Sequence, residues 1–168
     1  GEELVGAKQN RIVNTTILIQ GNSTAVIPVS CVEQGRWSYD TPTFHSKKRM
    51  MSSNLRAMKA RHVNDSRRRT GDFRADQGAI WDEISAKAER MSAESPSMAM
   101  AGIYEKKASS MQKYVDHFRL VDMQVGAVFA INGKIVGLDA FGKPKTFSDV
   151  HKKLVQSYAL DAIDWLEE

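Results

Sequence analysis

Val125-Gly126-Ala127-Val128-Phe129-Ala130-Ile131-Asn132-Gly133-Lys134-Ile135-Val136-Gly137-Leu138-Asp139-Ala140 reads as a β-hairpin. Asn132-Gly133 decides this, because both central residues of a type I′ turn need positive φ and this pair adopts it readily. The first arm is apolar on both faces, which predicts a central strand covered by helices. Downstream, Val150, Leu154, Tyr158, Ala162 and Trp165 fall on one face of a helix predicted from Ser148 to Trp165. Upstream, Ser95-Pro96 has the pattern of a capping residue followed by proline at the first helical position. The stripe after it, Met100, Ile103, Tyr104, Met111, Tyr114, Val115 and Phe118, predicts one long amphipathic helix.

Further upstream, Asp76 is placed to cap a helix with Ile80, Ile84, Ala88 and Met91 on its apolar face and Trp81 beside it. Ser53 or Asn54 starts a shorter helix carrying Leu55 and Met58, which Asn64-Asp65-Ser66 is expected to interrupt. Gly35 to Ser46 has loop composition, with Thr41-Pro42 breaking any helix. Arg11 to Ile19 and Ala25 to Val32 are rich in β-branched residues and flank the turn residues Gln20-Gly21-Asn22-Ser23, so a second hairpin is predicted at the N-terminal end. Pro28 cannot donate to a ladder and places its strand at a sheet edge or interrupts it there. The fold class is therefore α+β: an N-terminal β-hairpin, a helical middle, a C-terminal β-hairpin and a closing helix around one core. The chain opens at Gly1 and runs at once into Leu4-Val5. This reads as a single α+β domain, a fragment or processed product whose upstream strands are missing.

Composition bounds the function. At 168 residues, 42% hydrophobic and 26% charged, the chain matches an ordinary globular domain and excludes collagen-like or disordered classes. The apolar run Val125 to Ile131 is far shorter than the roughly 20 residues of a spanning helix, so no membrane contact is expected. A single cysteine, Cys31, allows no internal disulfide and favours a cytoplasmic location. Charge is concentrated: Lys47 to Arg69 holds nine basic residues against Asp65 alone, a surplus of eight in a chain whose net charge is +4, so the remainder sums to −4. Lys47, Lys48, Arg49, Arg67, Arg68 and Arg69 are thus an alternative surface for anions or nucleic acid. Nucleic acid is the less favoured partner, since no aromatics interleave with these charges as stacking on single strands requires.

Two polar clusters stand out. The first is Lys8-Gln9-Asn10-Arg11, where an arginine beside two amides offers planar donors to a phosphate or carboxylate. The second ends the predicted strand: Cys31, Glu33, Gln34, Gly35, Arg36 and Trp37. Antiparallel pairing around the Gly21 turn puts Arg11 opposite Val32 or Glu33 and so brings the clusters together. Cys31 reads as a small buried hydrophobe. His45, His62, His117 and His151 show no ligand spacing, no Gly-rich phosphate loop is present, and neither metal nor cofactor is expected.

Gly6-Ala7-Lys8-Gln9-Asn10-Arg11, Asn14-Thr15, Pro28 through Trp37, Asp76-Gln77-Gly78 with Trp81, Gly126 to Ala130, Gly137-Leu138-Asp139 and Ser157 to Ala162 carry a resemblance over nearly the whole chain. The sequence resembles a prokaryotic family named for association with ADP-ribosylglycohydrolases and with the rhodanese-phosphatase superfamily. The resemblance implies proximity to ADP-ribose or NAD metabolism, and no established catalytic residues. The leading expectation is a phosphorylated or nucleotide-like small molecule held by Gln9, Asn10, Arg11, Gln34, Arg36 and Trp37. If a reaction occurs, Glu33 serves as general base beside an arginine. Protein interaction through the basic segment, or a structural accessory role, stays open beside it.

Overall fold

A computed structural model describes residues 1–36 and 38–167. The order of elements is β1 (Glu2–Val5), β2 (Arg11–Val13), β3 (Val29–Cys31), β4 (His45–Met50), α1 (Ser53–Thr70), α2 (Gln77–Arg90), α3 (Met100–Lys106), α4 (Ala108–His117), β5 (Gly126–Ile131), β6 (Lys134–Ala140) and α5 (Pro144–Glu167). The architecture is α+β, with small antiparallel sheets and a long closing helix.

The first sheet runs β3-β2-β1-β4, all antiparallel. The N-terminal hairpin exists, with Arg11 opposite Cys31 and Val13 opposite Val29, but its strands are three residues long. Residues 15–27 leave the sheet. Asn14 ends the ladder by donating to Phe73 O (2.9 Å) and accepting from Ser30 Oγ (2.8 Å), and the β-branched residues beyond it find no partner strand. Leu18 is 99% exposed and Val26 96%. Strand propensity alone does not hold a strand without a neighbour to pair with. Pro28 precedes edge strand β3 as expected. That edge is closed by a side chain: Gln77 accepts from Cys31 N and donates to Cys31 O, both at 2.7 Å, standing in for a further strand.

Three helix expectations are corrected. Helix α1 continues unbroken through Asn64-Asp65-Ser66: Leu55, Lys59 and Val63 bury one face of its first three turns, and its exposed end closes at Gly71, left-handed at φ 78°, whose N–H donates to Arg67 O. Helix α3 starts at Met100, not at Pro96, since Ser95 to Ala99 lies against the end of β3: Gly35 N donates to Ser97 O and Met100 N to Val32 O. The long helix is divided into α3 and α4 at Lys107. Asp76 does cap α2, accepting from Ala79 N at 3.0 Å. A further strand, β4, lies in Gly35–Met50, where loop and charge run were expected. Its charged residues become a strand only by pairing with β1.

The core joins Ile12, Val32, Met51 and Leu55 to Ile80, Ile84, Met91, Met100, Ile103, Leu160 and Ile163. Helix α5 contacts α1, α2, α4, β4 and β5, which is why residues around its circumference, Phe147, Leu154, Ala159 and Ile163, are all buried. The hairpin β5-β6 forms around Asn132 (φ 49°) and Gly133 (φ 76°) as the sequence predicts. It is not a central strand pair. It forms its own two-stranded sheet, whose inner face lies on α5 through Phe129, stacked on Tyr158 at 3.7 Å. Val128, Ile135 and Leu138 on the other face are 61–76% exposed.

Candidate functional site

The two polar clusters meet. Because β2 and β3 pair two residues before Glu33, the Asn10 N–H donates to Glu33 Oε2 at 3.0 Å, and Val32 N donates to Asn10 O. Arg36 closes the group. Its Nη2 donates to Glu33 Oε2 (2.7 Å) and Asn10 Oδ1 (3.1 Å), and its Nη1 to Ala7 O (3.1 Å) and Ser38 O (3.2 Å). Burial pushes the Glu33 carboxyl up, but hydrogen bonds from Arg36, Asn10 and Ser97 outweigh it and hold the group below the usual carboxylate range. Glu33 is therefore an ionised, weakly basic carboxylate that clamps an arginine. That arginine gives its terminal nitrogens to protein acceptors.

The remaining expected residues divide. Gln9 is buried and accepts from Arg11 Nη1 at 3.1 Å. This pair, with Gln34, does not line the cavity that Asn10, Glu33 and Arg36 share, and the register puts Arg11 opposite Cys31, not opposite Val32 or Glu33 as expected. Trp37 lies outside the described residues. Arg67, Arg68 and Arg69 form the last turn of α1, where cations complement the helix dipole, and Arg67 lies over the Phe73 ring at 5.5 Å. The basic segment is thus divided between β4 and the far end of a helix about 27 Å long.

What local reading missed is that β4 belongs to the site. Asn10, Glu33 and Arg36 border a cavity of about 420 Å³ whose other wall carries Tyr39, His45, Lys47 and Arg49. Lys47 and Arg49 also border a neighbouring cavity of about 780 Å³, between β4, α3, α4 and α5, with Lys48, Tyr104, Gln112, Lys152 and Gln156. Arg49 is structural: it donates to Ala101 O (3.2 Å), pairs with the fully buried Glu3 (3.4 Å) and lies over the Tyr104 ring. Lys47, Lys48 and Lys152 are exposed and make no ion pair among the described residues. Their ammonium groups are the unengaged charge of this trough. Only a pairing register for β4, which its charged sequence does not advertise, could have placed Lys47 beside Glu33.

Over residues 1–168 the sequence matches the model of the family described as the ARG and Rhodanese-Phosphatase-superfamily-associated Protein domain. The chain belongs to this family. No curated protein and no solved structure matches it. The family description names association, not a reaction, so the chemistry of the trough has to be argued from its side chains. Among the described residues no helix is long and apolar enough to cross a membrane.

Proposed function

We propose that this domain binds a phosphorylated or nucleotide-like small molecule in the trough along the outer edge of β4. The observation that carries the reading is the set of three unpaired lysines, Lys47, Lys48 and Lys152, around a cavity of about 780 Å³ that adjoins the Asn10–Glu33–Arg36 clamp. Ligand pockets span roughly 300–1,000 Å³, and a nucleotide-sized anion suits this volume and charge. Tyr104, Gln112 and Gln156 offer surface and amides for the uncharged part. The family's stated association makes ADP-ribose-like compounds the first to try. In this reading Glu33 positions Arg36 and so fixes the loop that borders the ligand. A low proton affinity suits that role better than general-base catalysis.

The test is thermal-shift titration with ADP-ribose, NAD, simple nucleotides and a short oligonucleotide. Binding to the folded state alone raises Tm with ligand concentration. A saturable rise with a phosphorylated compound, lost in Lys47→Ala/Lys152→Ala, is expected. The absence of any rise, or one that survives that double substitution, excludes the trough.

A further inference from the structure

A second cavity, of about 400 Å³ and sharing no lining residue with the trough, lies between α1, β6 and α5. Arg56 and Lys59 from α1, Asp139 from β6 and Tyr158 from α5 line it, with Asn14 and Asn64 beside them. Its geometry is fixed by packing. Arg56 grips Asp139 with both terminal nitrogens (3.0 and 3.2 Å) and donates to Ser157 Oγ, while Tyr158 donates to Asp139 Oδ2 at 2.8 Å. Tyr158 is held between the Phe129 ring and the Arg56 guanidinium, and it fits only because Gly137 has no side chain: a Cβ there would stand 2.1 Å from the phenolic oxygen.

Two demands in this cavity are unmet. Lys59 is 3% exposed, and its Nζ donates to the carbonyls of Val13 (2.5 Å) and Asn14 (3.1 Å), yet no carboxylate faces it among the described residues. Carbonyl oxygens satisfy an ammonium's hydrogens without cancelling its charge, and a buried charge without a counter-ion is costly. Burial accordingly pulls the Lys59 ammonium down to about 8, opposed by its hydrogen bond with the Gly1 amine and reinforced by Arg56. The second demand is Arg56 Nε, a buried donor with no acceptor among the described residues. Among the described residues Asp139 is the cavity's one carboxylate and already belongs to Arg56; the Gly1 amine also lines the cavity, donating to Val13 O at 2.9 Å, but burial beside Lys59 pulls it down to about 4 and leaves it neutral, so Arg56 and Lys59 share one anion.

We propose that this cavity is a binding site for the oxyanion group of a small metabolite, a phosphate or a carboxylate, seated between Lys59 Nζ and Arg56 Nε. One bound oxyanion supplies both the missing counter-charge and the missing acceptor. Asn64 and Asn14 stand beside it for the remainder of such a molecule. The site is independent of the trough and stands or falls separately.

The experiment titrates the 168-residue chain with sodium phosphate and, separately, sodium acetate, each against sodium chloride at matched ionic strength, and follows Tm. The expected result is a saturable rise with one or both oxyanions, absent in chloride, lost in Lys59→Met and retained in Lys47→Ala/Lys152→Ala. A rise with phosphate alone assigns a phosphate ligand, and one with acetate alone a carboxylate. As a second measurement on the unaltered protein, amine acylation followed by peptide mass spectrometry should show the bound anion slowing modification of Lys59 several-fold while Lys47 is unaffected. No saturable rise with either anion, a rise lost only in the Lys47/Lys152 variant, or acylation of Lys59 indifferent to both anions overturns the proposal.

Discussion

Glu3 shows how a single buried group is set by its surroundings. It is fully buried on β1, with Arg49 at 3.4 Å as its ion-pair partner and, among the described residues, no hydrogen bond to either oxygen. Burial pushes its carboxyl up to about 6, with Arg49 opposing and Glu105 and Glu33 adding to the push. The folded state therefore holds this proton more tightly than the unfolded chain, whose ordinary value is 4.5. Its contribution to stability is fully present below pH 4.5 and is lost as pH rises through 6. Glu3→Gln removes the titration. Urea unfolding should show wild type losing about 2 kcal/mol relative to the variant across that window, and a difference that stays flat with pH would reject the assignment. Gly137 acts through space instead of charge. Gly137→Ala forces Tyr158 off Asp139, and a loss of about 1–3 kcal/mol is expected in chemical denaturation, as for other overpacked sites. Unchanged stability together with an unchanged near-ultraviolet circular dichroism spectrum would show that Tyr158 does not occupy this position.

At the scale of elements, buried charge ties the helices together. Lys87 of α2 donates to Asp161 (2.9 Å) and Asp164 (2.5 Å) of α5, and Arg90 also holds Asp164. Asp161 in turn accepts from Ser53 Oγ and from Asn54 N at 2.8 Å, so it caps the start of α1 from across the core. No side chain at Ser52, the N-cap position, does this. Lys87→Met keeps the volume and takes a buried cation from both aspartates, leaving Asp164 to Arg90 and Asp161 to its hydrogen bonds from Ser53 and Asn54, so a loss of about 3 kcal/mol is expected in urea unfolding. A loss below 1 kcal/mol would mean that the network is better solvated than its burial implies. This long-range capping also explains what the sequence could reveal. Asn132-Gly133 and Asp76 act on their own neighbours, and both were legible. The end of α1 was misread, because Asn64-Asp65-Ser66 outweighed the local signals that carry the helix past them, three arginines in the last turn and the Gly71 cap. Strand β4 and the true start of α3 depend on partners about 40 and 60 residues away in the chain, namely β1 and the end of β3. The meeting of Asn10 with Glu33 followed from strand register. The meeting of Arg56 and Lys59 with Asp139 and Tyr158 did not, since three separate elements supply it.

At the scale of the whole molecule, the basic segment is divided, and that separates the two anion-binding readings. Of its nine cations, Arg49, Arg56 and Lys59 are engaged inside the fold, and Arg61 is exposed midway along α1. Lys47 and Lys48 border the trough with Lys152, while Arg67, Arg68 and Arg69 sit at the opposite end of α1, about 27 Å of helix away. A single nucleic-acid strand seated at either end therefore meets about three cations. Counterion release then gives log K against log salt a slope of about −2, whereas one strand engaging all eight surplus charges would give about −6. Fluorescence anisotropy of a labelled short oligonucleotide over a salt series measures this directly, and the shallow slope is the expected result. Replacing Arg67, Arg68 and Arg69 with Gln should leave the Tm rise given by a phosphorylated small molecule unchanged, because those side chains lie outside the trough. A slope near −6, abolished by that triple substitution, would instead make the segment one continuous nucleic-acid surface and move the function from the trough to α1.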